Sequence, residues 1–196
     1  SQMNTESLKK ELKVAKKKSA KPMLWVSMIS MTMFFAGLTS AYVVSRKRED
    51  WVSFDLPTAF YISTILIVLS SITFILAGRL LKKEKTKISF LLLLVTLFLG
   101  VGFIYYQYEG FEQLRSIGLF FTGPNSTVST SFIIGITFMH VIHLIAGLIV
   151  LLVVIYNHFK SKYNASEMLG FELGAIFWHF VGVLWIYLFF FFYFIR

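Results

Sequence analysis

"WHFVGVLWIYLFFFFYFI" (178–195) contains no Asp, Glu, Lys or Arg, and the apolar run that it closes reaches back to Gly170. A run of about 18 to 20 such residues, wound as a helix, crosses the roughly 30 Å hydrocarbon layer of a bilayer. A helix is also the form that satisfies every backbone N–H and C=O where no water is present. Four further runs of this kind lie upstream, at Pro22–Val44, Thr58–Leu80, Ile88–Tyr108 and Ser129–Tyr156. Together the five occupy most of the 196 residues, 57% of which are hydrophobic and only 15% charged. The pattern predicts an all-α, polytopic membrane protein: a Lys-rich tail over 1–21 and a five-helix bundle over 22–196.

The net charge of +9 is explained by topology, and no nucleic-acid partner is expected. Seven Lys precede the first run, five basic residues lie in the second connection (Arg79, Lys82, Lys83, Lys85, Lys87), and Lys160 and Lys162 lie in the fourth. Those fourteen fall on one side of the membrane. Arg46, Lys47, Arg48, Arg115 and Arg196 fall on the other. Cytoplasmic loops carry the excess of Lys and Arg, so the N-terminus is expected in the cytoplasm and the C-terminus outside. The first run is too long for a signal-peptide core and no A-x-A site follows it, so no cleavage is expected. The tail reads as solvated and drawn to anionic headgroups. Trp51 reads as an interfacial residue. Pro57 opens the second helix, where a missing N–H costs little. "FTGPNST" (121–127) supplies turn chemistry in the longest connection, 109–128.

Packing seams are visible as well. Ser63, Ser70 and Ala77 recur every seven residues beside Thr64, Ser71 and Gly78. Small residues at this spacing let a neighbouring helix approach closely in lipid. Gly37 and Ala41 form a shorter seam on the first helix, and both seams are expected to face protein.

Ionisable groups at membrane depth are costly, and each raises a functional hypothesis. They are His140 and His143 in the fourth helix, His179 and Glu172 in the fifth, and Glu109, which with the polar, non-ionisable Gln107 closes the third. His140 and His143 share a face at i, i+3, and imidazole is a ligand for iron or copper. One such pair cannot supply both axial ligands of a heme, and no Glu-x-x-His pattern stands beside it. The alternative is neutral imidazoles hydrogen-bonded across helices. Glu172 also has two readings: solvated and paired with Lys160 or Lys162, or half-buried against a proton path or a lipid headgroup. With no Cys, thiolate sites and disulfides are excluded. No Ser/His/Asp set or phosphate-binding loop is present. No catalytic or metal-ligating residue is assigned.

"GFELGAIFWHFVGVLWIYLF" (170–189) closely resembles the last-helix signature of cytochrome c oxidase subunit III, approximately G-F-E-x-x-x-x-Y-W-H-F-V-D-x-V-W. "HVIHLIAG" (140–147) is similar to that family's H-G-x-H-V-x-x-G, and "MFFAGLTSAY" (33–42) to the F-F-A-G segment of its third helix. "LPTAFYISTILIVLSSIT" (56–73) and the Gly100 to Gln107 spacing echo the helices between. The family usually has seven helices, so the resemblance implies a short form lacking the first two. Two positions depart from the pattern. Met31 stands where the family has an intramembrane Glu, and Gly182 stands where it has the Asp after W-H-F-V.

The resemblance implies an accessory subunit of a proton-pumping heme–copper oxidase in the bacterial cytoplasmic membrane. Hemes and coppers are then expected in partner subunits I and II and none in this chain. Phospholipid is expected to be bound, and a quinol-oxidising respiratory complex is a candidate neighbour in a supercomplex. The rival readings are subunit III of a quinol oxidase, a nitric oxide reductase accessory protein, and a heme-binding membrane anchor. On this reading Trp178, His179, Trp185, His140 and His143 are structural, with Trp178–His179 as a hydrogen-bonded lock. Glu172 is left as a lipid or proton-path contact.

Overall fold

The computed structural model describes residues 2–46, 56–116 and 128–195, with the side chains of 128–130 excepted. Trp51, Lys47, Arg48, Arg196 and the 121–127 turn lie outside the described residues. Five helices carry the chain: α1 (Gln2–Ser45), α2 (Thr58–Lys82), α3 (Thr86–Ser116), α4 (Val128–Phe159) and α5 (Leu169–Ile195). All five are long and apolar enough to cross a membrane.

Two elements differ from the sequence reading. The Lys-rich tail is helical and continuous with the first span, so α1 runs 44 residues through Pro22. At 1.5 Å per residue that is about 66 Å, some twice the hydrocarbon thickness. Its first turns, from Gln2 to Ser19, are exposed throughout. The other difference is at the far end of α3, which continues to Ser116 and not to Tyr108, shortening the following connection. Packing accounts for the extra turns. Gly110 faces the Phe60 ring, Phe111 meets that ring edge-on, and Leu114 is buried. Gln113 there accepts a hydrogen bond from the Ala59 N–H at the start of α2 (3.2 Å), one of the donors left free where Pro57 ends the extended chain.

α2 and α3 form a tight antiparallel hairpin. Its connection closes with Lys85 N–H donating to the Leu80 carbonyl (2.9 Å) and Glu84 N–H to that of Leu81 (3.0 Å). This is a Schellman cap with Glu84 in the left-handed region at φ 61°. The same device ends α4, with Ser161 at φ 57° and Lys162 N–H donating to the Asn157 carbonyl. α2, α3, α4 and α5 pack in a ring, and α1 lies outside it against α4 and α5.

The long seam on α2 faces this interior. Ser63, Ser70 and Ala77 are fully buried, and Gly78 lies against the Phe171 ring. The short seam on α1 does not: Gly37 and Ala41 are exposed, and nothing stands within 4 Å of a Cβ at Gly37. α1 meets the bundle along Met28, Phe35, Thr39 and Tyr42, a stripe on its opposite side.

Candidate functional site

Trp178, Trp185 and His140 converge on the interior of the four-helix ring. Trp178 is 1% exposed and donates its indole N–H to Ser70 Oγ on α2 (2.9 Å). Two turns further along α5, Trp185 donates to Thr64 Oγ1 at the same distance. Ser70 passes its own proton to the Ile67 carbonyl (2.7 Å) and Thr64 to that of Phe60 (2.7 Å). Each hydroxyl therefore accepts from an indole and donates to its own helix, so each joins two helices without leaving a proton unused. Between helices in lipid there is no hydrophobic driving force, so close packing and such bonds carry the association. Gly100 makes room for the Trp178 ring on the α3 side.

His140 is fully buried, with its Nε2 2.9 Å from the Val181 carbonyl of α5. A carbonyl accepts only, so this nitrogen carries a proton, and a fully buried ring with no carboxylate bonded to it is neutral, which makes it the Nε2–H form. The ring stands 5.5 Å from Trp185, 5.9 Å from Phe103 and 6.3 Å from Phe35, centroid to centroid. His143 is half-buried and donates from Nδ1 to the Met139 carbonyl of its own helix (2.7 Å), while its ring meets Phe35 edge-on at 5.3 Å. The i, i+3 pair thus divides its work. His140 ties α4 to α5, and His143 offers α1 a ring to rest on. Among the described residues no three His, Asp or Glu side chains group as a metal site.

Two residues sit differently from the sequence expectation. His179 has the Phe74 ring as its neighbour at 6.0 Å and is only half-buried; among the described residues it makes no hydrogen bond. The lock at this position is Trp178 alone, because a one-residue step rotates a helical side chain about 100° away from the interior. His179→Leu is therefore expected to change unfolding free energy by less than about 0.5 kcal/mol, the size typical of substitutions away from such contacts. Thermal unfolding in detergent checks it. Glu172 pairs with Lys21 of α1 (2.9 Å), not with Lys160 or Lys162. Both partners are over a third exposed, so the pair fixes how α1 seats on α5 and adds at most about 1 kcal/mol.

Sequence reading passed over His158. It sits 3% exposed with Nε2 3.1 Å from Ser89 Oγ, and Ser89 donates to the Ala77 carbonyl (2.8 Å). Three helices meet in that chain. Nothing local marked it, because "NHFKSK" (157–162) reads as a solvated helix end.

A sequence model of the cytochrome c oxidase subunit III family matches residues 6–196. The chain belongs to that family. Among its relatives, subunit 3 of the cytochrome c oxidase of Thermostichus vulcanus is 29% identical over 85% of this chain and 82% of its own length. A probable quinol oxidase subunit 3 of Staphylococcus aureus is 30% identical over 84% of this chain and 83% of its own. The cytochrome bo(3) ubiquinol oxidase subunit 3 of Buchnera aphidicola is 28% identical, covering 83% and 87% respectively. The chain is thus a subunit III of the heme–copper oxidase type, a multi-pass component of a multi-subunit oxidoreductase.

Met31 lines an apolar groove of about 440 Å³ between α1, α4 and α5. Gly182 faces Ile67 and Ser71 of α2.

Proposed function

We propose that this chain is the accessory subunit III of a cytochrome c oxidase in a bacterial cytoplasmic membrane. It carries no redox centre, and hemes and coppers reside in partner subunits I and II. The observation that supports a non-redox role is how the interior polar groups are used. Both indoles and the Nε2–H of His140 are spent on neighbouring helices, and His143 on its own. Such bonds set helix positions. Phospholipid is the bound partner, with an acyl chain in the groove lined by Leu24, Met31, Val150, Leu173 and Phe177. That groove ends at Ala20 and Asn157, beside the Lys21–Glu172 pair, where a polar headgroup meets charges of both signs.

On this reading the subunit maintains the catalytic subunit and does not take part in its chemistry. Oxidase depleted of this chain is expected to start at a near-normal rate and then lose activity early in sustained turnover. Loss of the initial rate, with heme spectra intact, overturns the accessory role. The relatives named quinol oxidase subunit 3 favour a second reading, in which only the donor changes. Copper analysis of the intact assembly separates the two, because a quinol oxidase lacks the dinuclear copper centre of a cytochrome c oxidase.

The orientation follows from the charge distribution, with the α2–α3 connection and the α1 tail in the cytoplasm. Lys85→Cys and Arg46→Cys are expected to be labelled by an impermeant reagent from opposite sides of the membrane. Labelling of both from outside overturns the topology.

A further inference from the structure

Three buried polar atoms inside the four-helix ring have no partner among the described residues: Gln107 Oε1, Thr137 Oγ1 and His140 Nδ1. Their residues are at most 1% exposed. In lipid, as in a protein core, such atoms are costly when left unpaired, so their donor and acceptor characters matter.

Each character is fixed by the neighbouring bond. His140 donates from Nε2 to the Val181 carbonyl, and because the fully buried ring is neutral this leaves Nδ1 a bare acceptor. Ser63 donates its only proton to the Phe60 carbonyl (2.9 Å), so it accepts from the Gln107 amide nitrogen at 3.2 Å. That bond orients the amide and leaves Oε1 a bare acceptor. Thr137 differs from Thr32, Thr64 and Thr96, which all donate back to the carbonyl four residues earlier. Its hydroxyl is uncommitted. The set holds two acceptors and one hydroxyl proton. No direct pairing satisfies all three, because whichever acceptor Thr137 serves, the other stays bare.

Gln107 and His140 share one depth in the bundle, with Thr137 one turn away. Ser89 with His158, and Gly100 with Leu148, fix the antiparallel register of α3 and α4. Carried outward, that register sets Gln107 level with His140, and Thr137 lies one turn further along the same face. Phe103, one turn from Gln107 on α3, and Trp185 both have ring contacts with His140, so the cluster faces the ring's interior.

We infer that one buried water molecule occupies this cluster, donating to His140 Nδ1 and Gln107 Oε1 and accepting from the Thr137 hydroxyl. A molecule with two protons and two lone pairs closes the donor deficit, and about three hydrogen bonds is the usual complement of an internal water. The site's role is structural: it joins α3 to α4 at the level where His140 joins α4 to α5.

The test is a cryo-electron microscopy map of the intact oxidase assembly, at a resolution that shows ordered waters elsewhere in the same complex. Expected is a single peak within about 2.6–3.2 Å of the three atoms, lost in the Thr137→Val, Gln107→Met double variant while both helices keep their positions. A map with no peak there, or with Thr137 bonded directly to either acceptor, overturns the inference. So does a peak unchanged in the double variant, since its ligands are then other groups. Should the double variant fail to assemble, Thr137→Val alone decides on the same criterion, with a weakened peak expected and an unchanged one contrary.

Discussion

Trp178→Ala is expected to lower the unfolding free energy in detergent by about 3–5 kcal/mol, the range for truncating a buried aromatic. The indole is among the largest fully buried side chains and fills the space between Gly100, Gly147 and Ser70. Trp178→Phe separates the two contributions. It keeps most of the ring and removes the bond to Ser70, which contributes about 0.6 to 2 kcal/mol between membrane helices. Ser70 is not stranded by this change, because it still donates to the Ile67 carbonyl. Unfolding of the purified chain in mixed micelles measures both variants. Equal losses for Ala and Phe would show that the hydrogen bond dominates and that the volume argument is wrong.

Gly100→Ala is the second large effect, and its sign is set by a contest. Alanine in place of glycine favours a helix by up to about 1 kcal/mol. Here the added Cβ lies 2.6 Å from Trp178 Cη2, with Leu148 Cδ2 at 3.0 Å behind it. Leucine can turn away, whereas the indole is held by Ser70 and cannot. Overpacking of this kind costs about 1–3 kcal/mol, so the clash wins and the variant is destabilised. Two controls sharpen the claim. In a Trp178→Phe background the obstructing atoms are gone, and the same glycine substitution is expected to cost less. Gly182→Ala places its Cβ 3.5 Å from Ile67 and Ser71, ordinary contact, and is expected to be neutral or stabilising. Destabilisation by Gly100→Ala that is undiminished in the Trp178→Phe background would rule out the ring as its cause.

These contacts also separate what a linear reading can reach from what it cannot. Apolar runs of membrane-spanning length depend only on local composition, so all five helices were readable. The Ser63–Ser70–Ala77 seam was readable for a related reason: a heptad spacing returns side chains to one face whatever the partner is. The family motifs around His140 and Trp178 carry their own order and spacing. The outer turns of α3 are a different matter, because Glu109 and Glu112 mark the residues beyond Tyr108 as a loop by composition. The Phe60 ring against Gly110 and Phe111, the buried Leu114 and the bond from Ala59 N–H to Gln113 hold them in the helix.

The partners of the buried polar groups are the largest part that sequence could not supply. Trp178 and His179 are adjacent in the chain, yet the helix turns one toward Ser70 and the other toward Phe74. Glu172 is near Lys160 and Lys162 in sequence and is paired with Lys21, nearly the whole chain away. The exposed Gly37–Ala41 stripe and the buried Phe35–Thr39–Tyr42 stripe lie on one helix, each with side chains suited to packing. Sequence alone therefore determined that this chain is a five-helix membrane bundle of the subunit III family and that His140, Trp178 and Trp185 lie within its spans, whereas the interior place of His158 and the peripheral places of His179 and Glu172 came from the structure. Which helix each of them meets was decided by the tertiary structure, because depth and rotation in a bundle come from how neighbouring helices interlock and not from the spacing within any one of them.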